Sequence, residues 1–329
     1  MEVSVKKIIS VIILVIILAI VSILLIKKEE NNSNLKQITI GEVAHSVFYA
    51  PMYVAISEGF FEEEGLEIDL STGQGADKTM QQLLSGNVDI GFSGPEATVY
   101  VFNNSNEKLI TFASLTKRDG QFIVGPCSLK DNFKMTDLIN KKLLAGRSGG
   151  MPLLMFKYAL KESGINESKV NIDTSVEFAS LSGAFISKQG EFVNLFEPNA
   201  LNIEKQKYGC VLTSLGNISG VVPYTAFYAK EDFIKNNKET IHSFRKALNK
   251  GLEFVKNNDE ETIAKSIQNQ FPDLSFNDLK EIVKRYKDAD SWYETTFVNK
   301  NDYDRLLDIM LYGKTIDEKV NIDLLITND

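Results

Sequence analysis

Five times along this chain an apolar stretch of strand character runs into a short loop, and the loop opens a helix with Gly, Pro or a small polar residue. The turns fall at Ala50 and Pro51, at residues 72–77, at 92–96, at 145–152 and at 195–198. A chain patterned this way aims helix N-termini at the carboxyl ends of strands, and those ends line one crevice with backbone N–H donors. The pattern predicts a cleft that holds a small ligand, and it points to binding before catalysis.

The rest of the chain fills in around these turns. Residues 37–41 and 67–70 alternate like strands, and Pro51 opens a helix between them that ends by Gly59. Asp77 is placed to cap a helix over 78–85 that Gly86 stops, a strand follows at 88–92, and Pro95 starts the next helix. Further strands are predicted at 109–115, 121–124, 142–145, 170–173 and 192–196. Between them fall a weak helix at 136–140, a helix at 152–163 closed by Gly164, and a helix at 177–187. After a strand pair at 211–214 and 224–228 the character turns helical. Ile241, Phe244, Leu248, Leu252 and Val255 recur at spacings of three and four, which gives one buried stripe. The expected fold is α/β, with two open, mostly parallel sheets covered on both faces and a helical C-terminal tail. The chain crosses between lobes near Gly120 and returns near Pro223. The first lobe is expected over 37–120 and 224–329 with the tail, and the second over 121–223.

With 329 residues, 43% hydrophobic and 24% charged, the chain can bury the cores of two compact lobes. A net charge of −8 and the lack of a basic stripe argue against nucleic acid. The first residues differ from the rest. Lys6 and Lys7 precede an apolar run from residue 8 to residue 26 whose polar members are Ser10 and Ser22. That run is long enough to cross a bilayer as a helix, and it reads as an uncleaved anchor with the N-terminus in the cytoplasm and the body exported. Residues 29–36 read as a flexible stalk. No Cys precedes Cys127, so a lipid-modified cysteine is not expected to tether the chain. Cys127 and Cys210 are too few for a disulfide framework, and they read as two buried small apolar residues rather than a bridge.

The order of residues resembles a family of ABC-importer solute-binding proteins, the group handling thiamine-precursor pyrimidines, nitrate, taurine and alkanesulfonates. The stretch FYAPMYVAISEGFFEEEGLEI at 48–68 resembles the family's apolar helix, aromatic turn and Gly-Leu step into a strand. LSGNVDIGF at 84–92 is similar to its Gly-x-x-Asp-x-Gly strand. Residues 142–151 resemble its Gly-rich turn, and Phe196, Glu197 and Pro198 its cleft-lining Glu-Pro step. The resemblance implies a bilobed, periplasmic-binding-protein-like fold of type II that closes on ligand. It also implies docking on an ABC permease with its ATPase, and here an N-terminal transmembrane helix does the tethering.

Candidate ligand-binding residues follow from the turns. Arg147, Ser148, Gly149 and Gly150 open the helix at Pro152, and their N–H groups with Arg147 suit an anionic or carbonyl group. His45, Phe48 and Tyr49 follow the first strand, where an imidazole and aromatic faces suit a flat heteroaromatic. Ser93, Gly94 and Glu96 stand at the end of another strand. Glu197 is expected to present its carboxylate at the edge of the second lobe and to select amino or ring N–H donors. Arg118 with Asp119, and Tyr224, stand near the two crossings as a hinge ion pair or as ligand contacts.

The expected function is capture of a small heteroaromatic, a thiamine-precursor-like pyrimidine, by a monomeric, membrane-tethered, extracytoplasmic binding protein without cofactor or metal. A sulfonate, taurine or nitrate is the alternative if Arg147 dominates. A family-related pyrimidine-synthesising enzyme is a rival of another class, but the cysteine-rich motif of that branch is absent. A tethered sensory domain is a third.

Overall fold

The computed structural model describes residues 35–73, 75–146 and 150–329. The apolar run read as an anchor therefore lies outside the described residues, as do Arg147, Ser148 and Gly149. Among the described residues no helix is long and apolar enough to cross a membrane.

In chain order the described strands are β1 (Lys36–Glu42), β2 (Leu66–Thr72), β3 (Ile90–Ser93), β4 (Leu109–Thr116), β5 (Phe122–Gly125), β6 (Lys142–Leu144), β7 (Asn171–Asp173), β8 (Phe192–Leu195), β9 (Cys210–Ser214) and β10 (Thr225–Lys230). They form two sheets, ordered β2-β1-β3-β10-β4 and β7-β6-β8-β5-β9. The expectation of mostly parallel sheets is corrected, because both are mixed. In the first, β1 runs parallel to β2 and β3, while β10 is antiparallel to β3 and β4. In the second, β6 is parallel to β7 and β8, while β5 is antiparallel to β8 and β9. The double crossing forces this. β4 runs toward the crossing and β10 away from it, so two neighbouring strands that share that end must be antiparallel; β5 and β9 repeat the logic.

The same geometry turns β1, β2, β3 and β4 toward the crossing by their carboxyl ends, and β6, β7, β8 and β9 likewise. Both sets of strand-to-helix loops therefore converge. The crossing segments are tied side by side, with Val222 N–H donating to Lys117 O at 3.0 Å and Tyr224 N–H to Thr116 O at 3.0 Å. Strands 211–214 and 224–228, expected as a pair, belong to different sheets because the chain leaves the second sheet through the helix Leu215–Ser219 before it re-enters the first.

The helix Ala50–Ser57 carries Pro51 in its first turn and is buried along most of its length. It packs against the long helix Lys238–Asn257, whose buried face holds the predicted Ile241, Phe244, Leu248, Leu252 and Val255. At Gly251 the two backbones come so close that a Cβ would lie 2.2 Å from Pro51 O. The helix Ala76–Ser85 starts earlier than expected. Gly75 takes the cap position and Asp77 falls in the first turn, where its charge complements the helix dipole. The tail continues through helices Glu260–Ile267, Phe276–Asp288 and Lys300–Tyr312.

Cys127 and Cys210 form a disulfide, against the expectation of two buried thiols. Register explains it: Gly125 pairs with Cys210 across β5 and β9, which brings Cys127, just beyond the strand, to a Cα separation of 4.8 Å. A spacing of 83 residues hid a partnership made by neighbouring strands.

Candidate functional site

The two sheets meet at the loops after β3 and β6. Gly94 follows β3, and a Cβ there would stand 2.0 Å from Glu96 Oε2 and 2.8 Å from Met151 Cγ. Only glycine lets the Glu96 carboxyl fold back into this position. Met151 is the first residue of the helix Met151–Glu162, which Gly150 opens with a φ of 76°. The Met151 N–H points at the Glu96 carboxyl, so a side chain on the first sheet reaches a helix N-terminus on the second. Glu96 is 2% exposed, and among the described residues Oε2 has no hydrogen-bond partner. Burial pushes its carboxyl up to about 7 against the pull of those backbone N–H groups.

Around it lie further buried polar groups. Asp119, in the first crossing segment, accepts the Gln121 N–H at 2.7 Å through Oδ1. Burial raises the Asp119 carboxyl to about 8. The Tyr224 hydroxyl, on the second crossing segment, faces the Asp119 carboxyl, and burial pushes it well up, reinforced by the charge of Asp119 and by Tyr49 and Glu96 nearby. Tyr49 is buried as well and is shifted upward first by burial and then by Glu42 and Glu96. Its ring meets Phe92 edge-on at 4.6 Å. Phe48 lies beneath, fully buried, with Tyr49, Phe196, Tyr224 and Tyr286 around it at 5.0–5.9 Å. Gln121 and Asn194 are fully buried, and among the described residues neither side chain has a hydrogen-bond partner.

Of the residues predicted from the sequence, Tyr49, Gly94, Glu96, Gly150 and Tyr224 gather at this meeting of the sheets, with Phe48 as their apolar floor. Ser93 stands behind them, its hydroxyl engaged with Tyr228 at 2.6 Å. Three others are committed elsewhere. His45 places Nδ1 2.9 Å from Glu42 Oε1 and Nε2 2.8 Å from Gln270 O. An oxygen acceptor stands at each ring nitrogen, and the hydrogen bond to Glu42 leads the causes that raise the imidazole's pKa. Glu197 does not face outward: Oε1 accepts from Arg285 Nη1 at 2.8 Å and Oε2 from the Leu201 N–H at 2.8 Å. Arg285 also binds Glu204 and Glu281, so this cluster fastens the tail helix Phe276–Asp288 to the second sheet.

Arg118 pairs with Asp290 at 3.2 Å and not with Asp119. The chain bends at Arg118, and Asp119 turns instead to the Gln121 N–H, which separates the expected hinge pair. Asp119 was named at the crossing but not as a buried acid, and Gln121 and Asn194 escaped the sequence reading. A signal existed for Asn194, a lone amide inside the apolar strand Phe192–Leu195. Among the described residues no group of three or more His, Cys, Asp or Glu side chains is arranged to hold a metal ion.

Comparison with known proteins assigns the frame around this site. The family described as NMT1/THI5 like matches residues 47–262. The chain belongs to that family. YtlA of Bacillus subtilis (strain 168), which carries the name of a binding protein, is 38% identical over 84% of this chain and 83% of its own. The fold is the two-lobe α/β fold of ABC solute-binding proteins. The alkanesulfonate-binding protein SsuA from Xanthomonas axonopodis pv. citri, solved with MOPS bound, superimposes with a TM-score of 0.69 at 14% identity, covering 88% of this chain and 98% of its own. The periplasmic nitrate-binding protein NrtA from Synechocystis PCC 6803 gives 0.69 at 15%, covering 89% and 86%. At such identities the likeness of this NMT1/THI5-like chain to them is one of fold.

Proposed function

We propose that this NMT1/THI5-like protein is the extracytoplasmic solute-binding component of an ABC importer, and that its cleft takes an uncharged or amino-bearing heteroaromatic of the pyrimidine class. The first lobe comprises residues 37–120 and 224–329, and the second 121–223. Ligand bridging the lobes stabilises the closed state, which the permease reads; no covalent step is involved. Residues 8–26 tether the monomer to the membrane. The Cys127–Cys210 disulfide supports an oxidising compartment for the body.

The observation that carries the ligand class is the Glu96 carboxyl, buried where the sheets meet, with an oxygen unpartnered among the described residues and a pKa raised to about 7. Beside aromatic Tyr49 and Tyr224, such a group favours a flat ligand with amino and ring-nitrogen groups and disfavours an anion. Calorimetric titration of the full chain in detergent with 4-aminopyrimidine, taurine and nitrate tests this. The parent should bind the aminopyrimidine, and Glu96→Gln should weaken it about tenfold, the loss of one charge-assisted hydrogen bond. Binding of taurine or nitrate that Glu96→Gln leaves equal or improves would assign the cleft to anions.

A further inference from the structure

Gln121 and Asn194 are unusual among the buried side chains of the second sheet. Both are fully buried, and among the described residues all four of their amide atoms lack a hydrogen-bond partner. Register puts them together. Asn194 pairs with Ile123 across β8 and β5, so the two side chains share a face. The ladder with β9 continues one step before β5, since the Leu215 N–H donates to Gln121 O at 2.9 Å. Gln121 therefore stands two residues from Ile123 on the same face, diagonal to Asn194.

That face is covered by the helix Met151–Glu162, whose Leu153 and Phe156 join Ile123 in one apolar cluster. It is the helix whose first N–H meets Glu96. The Gln121 backbone N–H is also held by Asp119, the other buried acid of the site. An unpartnered amide in an apolar layer is costly, and apolar residues of the same size would serve packing better.

We propose that Gln121 and Asn194 form an amide pair that reads an uncharged donor–acceptor edge of the ligand, such as the amino group and ring nitrogen of an aminopyrimidine or a primary carboxamide. The inference rests on the reading of this cleft as a solute site and names the part of the ligand that the second lobe recognises. Each amide offers a donor and an acceptor, so each can pair with such an edge in either orientation, whereas a sulfonate or nitrate would leave the NH2 group satisfied and the amide oxygen opposed.

Asn194→Leu and Gln121→Met, made separately in the full chain in detergent, test the pair. Binding of 4-aminopyrimidine and nicotinamide is measured by calorimetry, and the melting temperature without ligand is measured for each protein. Each substitution should weaken a probe that the parent binds at least tenfold, with the ligand-free melting temperature equal to or above the parent's. A structural amide would behave otherwise, so unchanged affinity, or a melting temperature lowered by more than about 5 °C in both variants, overturns the pair. If Asn194→Leu does not fold, Gln121→Met decides. A parent that binds nicotinamide but not 4-aminopyrimidine upholds the pair and sinks the pyrimidine assignment. A parent that binds neither, with both variants less stable, sinks the pair as well.

Discussion

Gly94 shows how one missing atom shapes the cleft. A Cβ at this position would overlap Glu96 Oε2 at 2.0 Å, so Gly94→Ala must drive the carboxyl out of its place beside the Met151 N–H. If the cleft takes the ligand class proposed above, Gly94→Ala should cut affinity for 4-aminopyrimidine at least tenfold by calorimetry while the circular dichroism of the folded chain is retained. A variant that binds like the parent would remove Glu96 from the site. At this scale the sequence was informative about position and silent about partners. Tyr49, Glu96 and Tyr224 could be named because they follow strand ends or flank a crossing. The attachment of Glu197 to Arg285 could not, because 88 residues separate them and only the folded tail brings the guanidinium back. Asn194 was legible in principle, since an amide within Phe192–Leu195 breaks an otherwise apolar strand.

Among the elements, the short connection after β1 is held by an unusual joint. Glu42 is fully buried and accepts from Thr72 Oγ1 at 2.8 Å and Tyr53 Oη at 2.6 Å as well as from His45. Through Gln270 O, and a ring contact with Phe271 at 4.8 Å, His45 joins this connection to the tail. The raised pKa of His45 fixes the sign of its pH effect. The folded state holds the proton more tightly than the unfolded chain, so the stabilisation is fully present below about pH 6.5 and is lost as pH rises through the folded pKa. The stability difference between the parent and His45→Gln in urea should therefore be largest near pH 5.5 and shrink toward pH 9. A difference that is flat with pH would mean that the imidazole is neutral in the fold. Element positions were read well wherever Pro or Gly punctuated them, as at Pro51, Gly86 and Gly164. Strand direction was not, because the alternation of strands and helices carries no record of a chain that leaves a sheet and comes back.

For the whole molecule, the disulfide closes a long excursion. It links residues 83 apart within the second sheet, and in the chain-entropy account such a loop restricts the unfolded chain by on the order of 4 kcal/mol. Reduction, or paired Cys127→Ser and Cys210→Ser substitution, should lower the melting temperature by several degrees in differential scanning calorimetry. An unaltered melting temperature would show that the pairing of β5 with β9 alone secures that edge.

The place of β10 has a consequence for a chain that emerges from its N-terminus onward. β10 lies between β3 and β4 and supplies the hydrogen bonds that join them. Every strand of the second sheet precedes it in the sequence. While the polypeptide is being synthesised, the second sheet can therefore be complete when the first is still two separate pieces, β2-β1-β3 and a lone β4. The lobe that begins the protein is the one that finishes last, because its sheet closes only when β10, ending at Lys230, has emerged.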